Sequence, residues 1–220
     1  MGQLRVPMVP RHRHRPVRGM VRDAGGAVNN MDWPTNTYDC ILADPPWHYN
    51  SRICPAQRTK FGQGAEGHYP LMKDDELLAL PVGNITNRNC ALFLWATGPR
   101  LDFAFDVIKS WGFRYATIGF TWVKTNPKDG GIFFGPGYYT ASNSELCLLA
   151  VKGQMKPTSN YISQVIIAPR QEHSKKPEEA RERIAELFAG KQCIELFCRE
   201  RRPGWDAFGN EVSEPEPGLF

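Results

Sequence analysis

The sequence predicts an α/β fold in which helices cover both faces of a largely parallel sheet. Two observations point to it. Apolar stretches of strand length alternate with stretches of helical periodicity, the pattern of a sheet wound with helices. Polar clusters also recur directly after strand-like stretches: Asp44 after one, Thr97 and Gly98 after another, Arg170 to Lys176 after a third and Arg199 after a fourth. In an open α/β sheet the ligand crevice lies outside the carboxyl ends of the strands, so these four clusters are expected to converge on one site. At 220 residues, with 41% apolar and 23% charged residues, the chain is long enough for one well-buried domain and ordinary in composition for a globular protein.

Taken in order, residues 1 to 22 carry Arg5, Arg11, Arg13, Arg15, Arg18 and Arg22 and no acid, within a chain of net charge +4. Two readings of this arm stand side by side: a flexible basic segment that holds phosphates without sequence preference, or a solvated leader. Residues 23 to 220 are expected to form a single domain. A polar stretch around Asn29, Asn30, Asp32, Pro34 and Thr35 leads into a first strand over residues 38 to 43. Residues 48 to 69 form a long connection in which Gly62, Gly64 and Gly67 accompany Arg52, Arg58 and Lys60. Connections of that length inside compact domains tend to be lids or binding loops.

Residues 74 to 80 read as a short helix, and the apolar run Ala91 to Ala96 as a strand buried on both faces. Leu101, Phe105 and Ile108 recur at helical spacing, which predicts a helix from Leu101 to Ser110 closed by Gly112. Further strands are expected at residues 115 to 123, 145 to 151, 164 to 168 and 192 to 197. Between the last two, a helix from Pro177 to Ala189 has proline in its first turn, Glu178 and Glu179 at its positive end, and Gly190 to stop it.

The motif with the most chemistry is Asp44-Pro45-Pro46-Trp47, which follows the first strand. Each proline fixes its own φ and restrains the residue before it, so the Pro45 carbonyl is held in a narrow range of directions. A carboxylate and a rigid carbonyl side by side can accept both N–H bonds of a planar amine, while Trp47 or Tyr49 stacks on the attached ring. The implied reaction is methylation of an exocyclic amine of a nucleobase.

The six cysteines, Cys40, Cys54, Cys90, Cys147, Cys193 and Cys198, include no C-x-x-C pair, and several lie in apolar strand-like runs. Buried reduced thiols are expected in place of disulfides or zinc ligands. His12 and His14 alternate with arginines without metal-ligand spacing, so no metal is expected. No apolar run approaches the length of a membrane span and the N-terminus has no signal-peptide h-region, which makes a cytoplasmic protein with no membrane partner the expectation.

Beyond Asp-Pro-Pro-Trp, an ordered series runs from Tyr38 to Val212. It includes Tyr69 with Asp74-Asp75-Glu76, Leu92-Phe93-Leu94-Trp95-Ala96-Thr97-Gly98, Trp111-Gly112, Trp122-Val123-Lys124-Thr125-Asn126 and Glu145. It continues through His173-Ser174-Lys175-Lys176-Pro177, Ile194-Glu195-Leu196-Phe197-Cys198-Arg199, Gly204-Trp205 and Gly209-Asn210-Glu211. In this series the chain closely resembles the adenine amino-methyltransferases named after the 70 kDa MT-A subunit. The resemblance implies a Rossmann-like class I methyltransferase fold in permuted order, with the catalytic motif first and the cofactor strand, residues 192 to 197, last. That order explains why no G-x-G-x-x-G follows the opening strand.

The resemblance further implies S-adenosylmethionine as cofactor and N6-methyladenine in nucleic acid as product. It makes Asp44, Pro45, Pro46 and Trp47 the catalytic motif and assigns cofactor contacts to Asp44, Lys176, Arg199, Asn210 and Glu211. Tyr69 matches an aromatic on the active-site loop. A target adenine in a duplex must be flipped out, so Trp47, Tyr49 and Tyr69 are candidates to stack on it, while Arg52, Arg58, Lys60 and Arg170 are candidates for phosphates. The accessory domains of the eukaryotic RNA enzymes do not occur in these residues, so a bacterial or phage DNA enzyme is expected ahead of an RNA enzyme.

A catalytically silent nucleic-acid-binding subunit is the competing reading, against which Asp44, Lys176, Arg199 and Asn210 all stand. Methylation of a protein amide or of cytosine is a third, which more usually goes with Asn or Ser at the position of Asp44. A homodimer or a partner subunit would enlarge the nucleic-acid surface of so small a domain. Trp95 and Trp111 are expected to be core packing, and Glu145 to be structural, pairing with a lysine of the long connection.

Overall fold

The computed structural model describes residues 33–48, 72–135, 137, 139–159, 161–171, 175–209 and 212. Its elements, in chain order, are β1 (Tyr38–Ala43), α1 (Asp74–Ala79), β2 (Thr86–Ala96), α2 (Leu101–Ser110), β3 (Arg114–Thr125), β4 (Ser144–Lys152), β5 (Val165–Pro169), α3 (Glu179–Leu187), β6 (Cys193–Leu196) and β7 (Trp205–Phe208). The strands form one seven-stranded sheet in the order β5-β3-β4-β2-β1-β6-β7. β1 lies between β2 and β6 and is parallel to both; β3 with β5 and β6 with β7 are also parallel. β4 runs antiparallel to β2 and β3. The strand that opens the described chain thus pairs with one formed almost at its end, as the permuted order requires.

Period-two alternation divides the core into two layers. Ile41 and Ala43 of β1, Leu92 and Leu94 of β2 and Ile194 and Leu196 of β6 face one side, where Leu77 of α1 and Ala104, Val107 and Ile108 of α2 cover them. Cys40 and Leu42, then Ala91, Phe93 and Trp95, face the other side, under Ala180 and Ile184 of α3. Helices therefore cover both faces, and β1 apart from Asp39 and the second half of β2 are buried because neither face meets water. Trp95 and Trp111 are each 1% exposed and belong to these layers, as expected of core packing.

β1 and α2 have the predicted bounds. β2 begins at Thr86, five residues before the expected strand, because Thr86 to Cys90 are held by ladder pairing, Tyr38 opposite Thr86 and Cys90 opposite Lys152, and not by an apolar run. α3 starts at Glu179 with Glu178 as its cap, so Pro177 precedes the helix, and Gly190 with φ 75° turns the chain after it. β7 was not expected. It is four residues long at the sheet edge with no fully buried side chain, and only the parallel register Cys193↔Trp205 to Leu196↔Phe208 makes it a strand.

Cys40, Cys90, Cys147, Cys193 and Cys198 are free and buried. Among the described residues no helix is long and apolar enough to cross a membrane. The basic arm, the polar stretch up to Asp32, most of the long connection including Cys54, and His173 lie outside the described residues.

Candidate active site at the carboxyl edge of the sheet

β1 ends at Ala43 and delivers Asp44 to the carboxyl edge at the middle of the sheet. The motif that follows is pinned from several directions. The Trp47 backbone N–H donates to the Pro45 carbonyl at 2.8 Å, and the Met72 N–H donates to the Pro46 carbonyl at 3.3 Å. The Trp47 indole N–H donates to the Trp95 carbonyl at 3.1 Å, and its ring meets Phe103 edge-on at 6.2 Å between centroids. Trp47 is 4% exposed, and its indole ties the motif to β2. The Pro45 carbonyl retains a second lone pair beyond the one Trp47 uses.

Asp44 heads a chain of charges. Lys176 Nζ lies 2.8 Å from Asp44 Oδ2 and 3.2 Å from Glu145 Oε2, and Lys124 Nζ lies 2.5 Å from Glu145 Oε1. Lys176 arrives from the segment before α3, Glu145 from the start of β4 and Lys124 from the end of β3, so three separate segments close around β1. Sheet register explains the last pair. Glu145 sits opposite Trp122, and Lys124, two residues on, presents its side chain to the same face. Glu145 thus has lysine partners, as expected, but they come from β3 and the segment before α3.

Burial works against every charge here, and the pairings decide the outcome. Burial pushes the Asp44 carboxyl above the ordinary aspartate value while Lys176, and more weakly Arg199, pull it back; the net direction is upward. The Asp44 side chain keeps 32% of its surface, so water also reaches it and tempers the effect of burial. For Glu145 burial raises the pKa, but Lys176 and Lys124 outweigh it and the net shift is downward. Burial lowers Lys176, yet Asp44 and Glu145 hold it well above a normal lysine. Lys176 is therefore a fixed cation whose charge is answered by two carboxylates of the protein. The Trp95 ring lies 5.8 Å from its ammonium, and the Trp95 indole N–H is buried without an acceptor among the described residues.

β6 ends beside this cluster. Phe197 takes φ 63°, a left-handed conformation rare for a bulky residue, and turns the chain so that Cys198 and Arg199 follow along the carboxyl edge. Gly209, leaving β7, passes so close to Cys198 that a Cβ would stand 2.0 Å from its carbonyl oxygen, so only glycine fits this approach. Cys198 is packed, 5% exposed, with burial raising its thiol to about 11.

Asp44, Lys176 and Arg199 converge as expected. Arg170 does not join them: it follows β5, four strands from β1, with its guanidinium 3.7 Å over the Phe133 ring. Tyr49, Arg52, Lys60, Tyr69, Asn210 and Glu211 lie outside the described residues. Lys124 belongs to the Trp122 to Asn126 motif, and its signal in the sequence is its place two residues beyond a strand tryptophan.

A mostly parallel α/β sheet that carries this acid and these cations at its carboxyl edge, on strands first and near last in the chain, defines a permuted Rossmann-like methyltransferase. Residues 38–211 match the MT-A70 family, and the chain belongs to that family. It is 34% identical over 195 residues to the Type II methyltransferase M.MunI of a Mycoplasma species, covering 82% of this chain and 80% of that one. It is 28% identical over 180 residues to an N(6)-adenosine-methyltransferase MT-A70-like protein of Arabidopsis thaliana, covering 80% of this chain and 24% of that one. With the human N(6)-adenosine-methyltransferase catalytic subunit METTL3 it shares 29% identity over 176 residues, 78% of this chain and 28% of that one. The chain therefore spans about a quarter of the length of these plant and animal relatives.

Proposed function

We propose that the protein is an S-adenosylmethionine-dependent methyltransferase that transfers a methyl group to the exocyclic N6 amine of adenine in nucleic acid, DNA ahead of RNA. The observation that carries this reading is Asp44, a carboxylate at the end of β1, an interior strand, tied to Lys176 at 2.8 Å and followed by two prolines. The Type II methyltransferase that matches over four-fifths of both chains supports the choice of DNA. The reading takes residues 23–220 as one catalytic domain in the cytoplasm, with the basic arm holding phosphates.

Adenine's amine delocalises its lone pair into the ring and is a weak nucleophile. In this mechanism its two N–H bonds donate to the Asp44 carboxylate and the Pro45 carbonyl, which localises electron density on nitrogen and stabilises the positive charge that develops there as the N–CH3 bond forms and the methyl leaves sulfur; one N–H proton then passes to solvent, leaving neutral N6-methyladenine. Lys176 favours the ionised, acceptor-only form of Asp44 that this requires. The rigid Pro45-Pro46 backbone holds both acceptors in place, so orientation supplies most of the acceleration.

S-adenosylmethionine supplies an electrophilic methyl group on a positively charged sulfur. The donor set suits it: Asp44 is an anion for the side of the sulfonium, Lys176 and Arg199 are cations for the carboxylate, and the Trp95 N–H, which has no acceptor among the described residues, is a further donor in the same wall. Asn210 and Glu211 complete the proposed contacts at the ribose. Tyr49 and Tyr69 are proposed to stack on the flipped base, and Arg52, Lys60 and Arg170 to meet phosphates.

The test is transfer of labelled methyl to matched pools of single- and double-stranded DNA and RNA, with the product nucleoside identified by mass. The expected result is label in N6-methyladenine that falls by about 100-fold or more in Asp44→Ala at saturating cofactor. Near wild-type turnover in that variant would overturn the mechanism, and label in another nucleoside would overturn the substrate.

A further inference from the structure

The connection between β3 and β4 carries aromatic rings at the same edge of the sheet as Asp44 but has no part in the mechanism. Phe134 is 73% exposed, Tyr139 90% and Ile132 43%, so three large apolar side chains meet water on one short segment. Single exposed apolar residues need no explanation, but a cluster at the rim of a site does. The segment is tied down. Ile132 bridges Thr125, the Phe133 N–H donates to the Lys124 carbonyl at 2.8 Å, and Gly135 bridges Ser142. At Gly135 a Cβ would stand 2.6 Å from the Phe133 ring and 2.9 Å from the Ser142 carbonyl, so a larger residue there would push the ring or the facing backbone aside.

Two further contacts give the segment its character. The Arg170 guanidinium carbon lies 3.7 Å from the centroid of the Phe133 ring, and the Arg170 backbone N–H donates to the Thr125 carbonyl at 3.0 Å. Lys124, whose carbonyl anchors Phe133, is also the far end of the charge chain that reaches Asp44 through Glu145 and Lys176. Exposed rings on a segment whose neighbouring ring, Phe133, carries a cation, joined to the edge where the target base would react, match the recognition of an unpaired nucleic-acid strand. Rings stack on bases of any identity while the cation meets the backbone.

We propose that this connection is a stacking platform for bases of the substrate strand a few nucleotides from the target adenine, with Phe134 and Tyr139 as its ring faces and Arg170 as its phosphate contact. The proposal rests on the nucleic-acid reading above and deepens it: the strand is held unpaired beside the target, and it is held there without sequence preference.

The test measures binding of a fluorescein-labelled single-stranded DNA containing one adenine by anisotropy, together with KM and kcat for methyl transfer. Phe134→Ala, Phe134→Trp and Phe134→Ala/Tyr139→Ala are compared, with thermal melts to show that each is folded. The expected result is a rise in Kd and KM of about 5- to 100-fold in Phe134→Ala with a much smaller change in kcat, and recovery in Phe134→Trp. Oligonucleotides with abasic positions flanking the adenine should bind the wild type as weakly as intact ones bind the double variant. Unchanged Kd in the double variant would overturn the proposal. So would a fall in molar mass on substitution, which would make the rings a contact between copies of the chain. If the wild type methylates none of the pools, the enzymatic reading fails, while the anisotropy and abasic arms still decide whether the rings hold a strand.

Discussion

Asp44 is poised by two opposing forces, burial that disfavours its charge and Lys176 that restores it, and the balance has a measurable pH signature. Methyl transfer needs the ionised carboxylate, which is present above the Asp44 pKa and lost as pH falls through it. Because that pKa lies above the ordinary aspartate value, the acid limb of kcat should lie above it too. Lys176→Met removes the nearest cation and should move the limb to higher pH, measured at saturating cofactor and substrate; a limb that stays put would separate Lys176 from Asp44. Glu145 has the opposite sign. Its lowered pKa contributes stability above the unfolded glutamate value that is lost as pH falls through the lower folded one. Of this cluster Asp44, Lys176 and Arg199 were legible in the sequence, because the motif and the strand ends mark them. The link through Glu145 and Lys124 was not, since it depends on which residues of two antiparallel strands stand opposite one another, and register is a property of the assembled sheet.

At the level of elements, a buried ion pair joins α3 to β6, while Arg183 of α3 donates to the Val165 carbonyl of β5 at 2.8 Å. Arg181 donates to Glu195 of β6 through Nε at 2.6 Å and through a second guanidinium nitrogen at 2.7 Å, and also to Glu178 at 2.8 Å. The Arg181 and Glu195 side chains are 12% and 10% exposed, so removing one partner strands the other in a site with little water. Arg181→Ala should destabilise the protein by about 3 to 5 kcal/mol in urea unfolding, and Arg181→Met/Glu195→Leu should recover most of the loss. A cost near zero would mean that the pair is dispensable to the packing of α3. Legibility follows the same division between local pattern and assembly. β1 and α2 carry their own signature, an apolar run and a helical stripe, and their bounds were predicted to the residue. β7 and the first half of β2 have no such pattern, because a neighbouring strand's ladder makes them strands. The connection after β3 likewise has no periodic pattern, and only Phe133, Phe134 and Tyr139, close together among glycines, mark it in the sequence.

At the scale of the whole molecule, charge is divided between an arm with six arginines and no acid and a remainder with a slight acidic excess. If the arm holds phosphates, deleting residues 1–22 should weaken binding to all sequences alike and flatten the dependence of log K on log salt by about 0.9 per arginine engaged. An unchanged slope would make the arm a solvated leader. The pairing of β1 with β6 has a different consequence, one of timing. Asp39 and Gln192, joined across these strands, are 153 residues apart, and Tyr38 donates to Asp206 across 168. At about 5 to 20 residues per second of synthesis, the strand that carries Asp44 waits on the order of 10 to 30 seconds for its neighbour to be made. For that interval an apolar strand has one edge without a partner. An unpaired strand edge of this kind is open to pairing with other chains, and the site cannot form until β6 has been made.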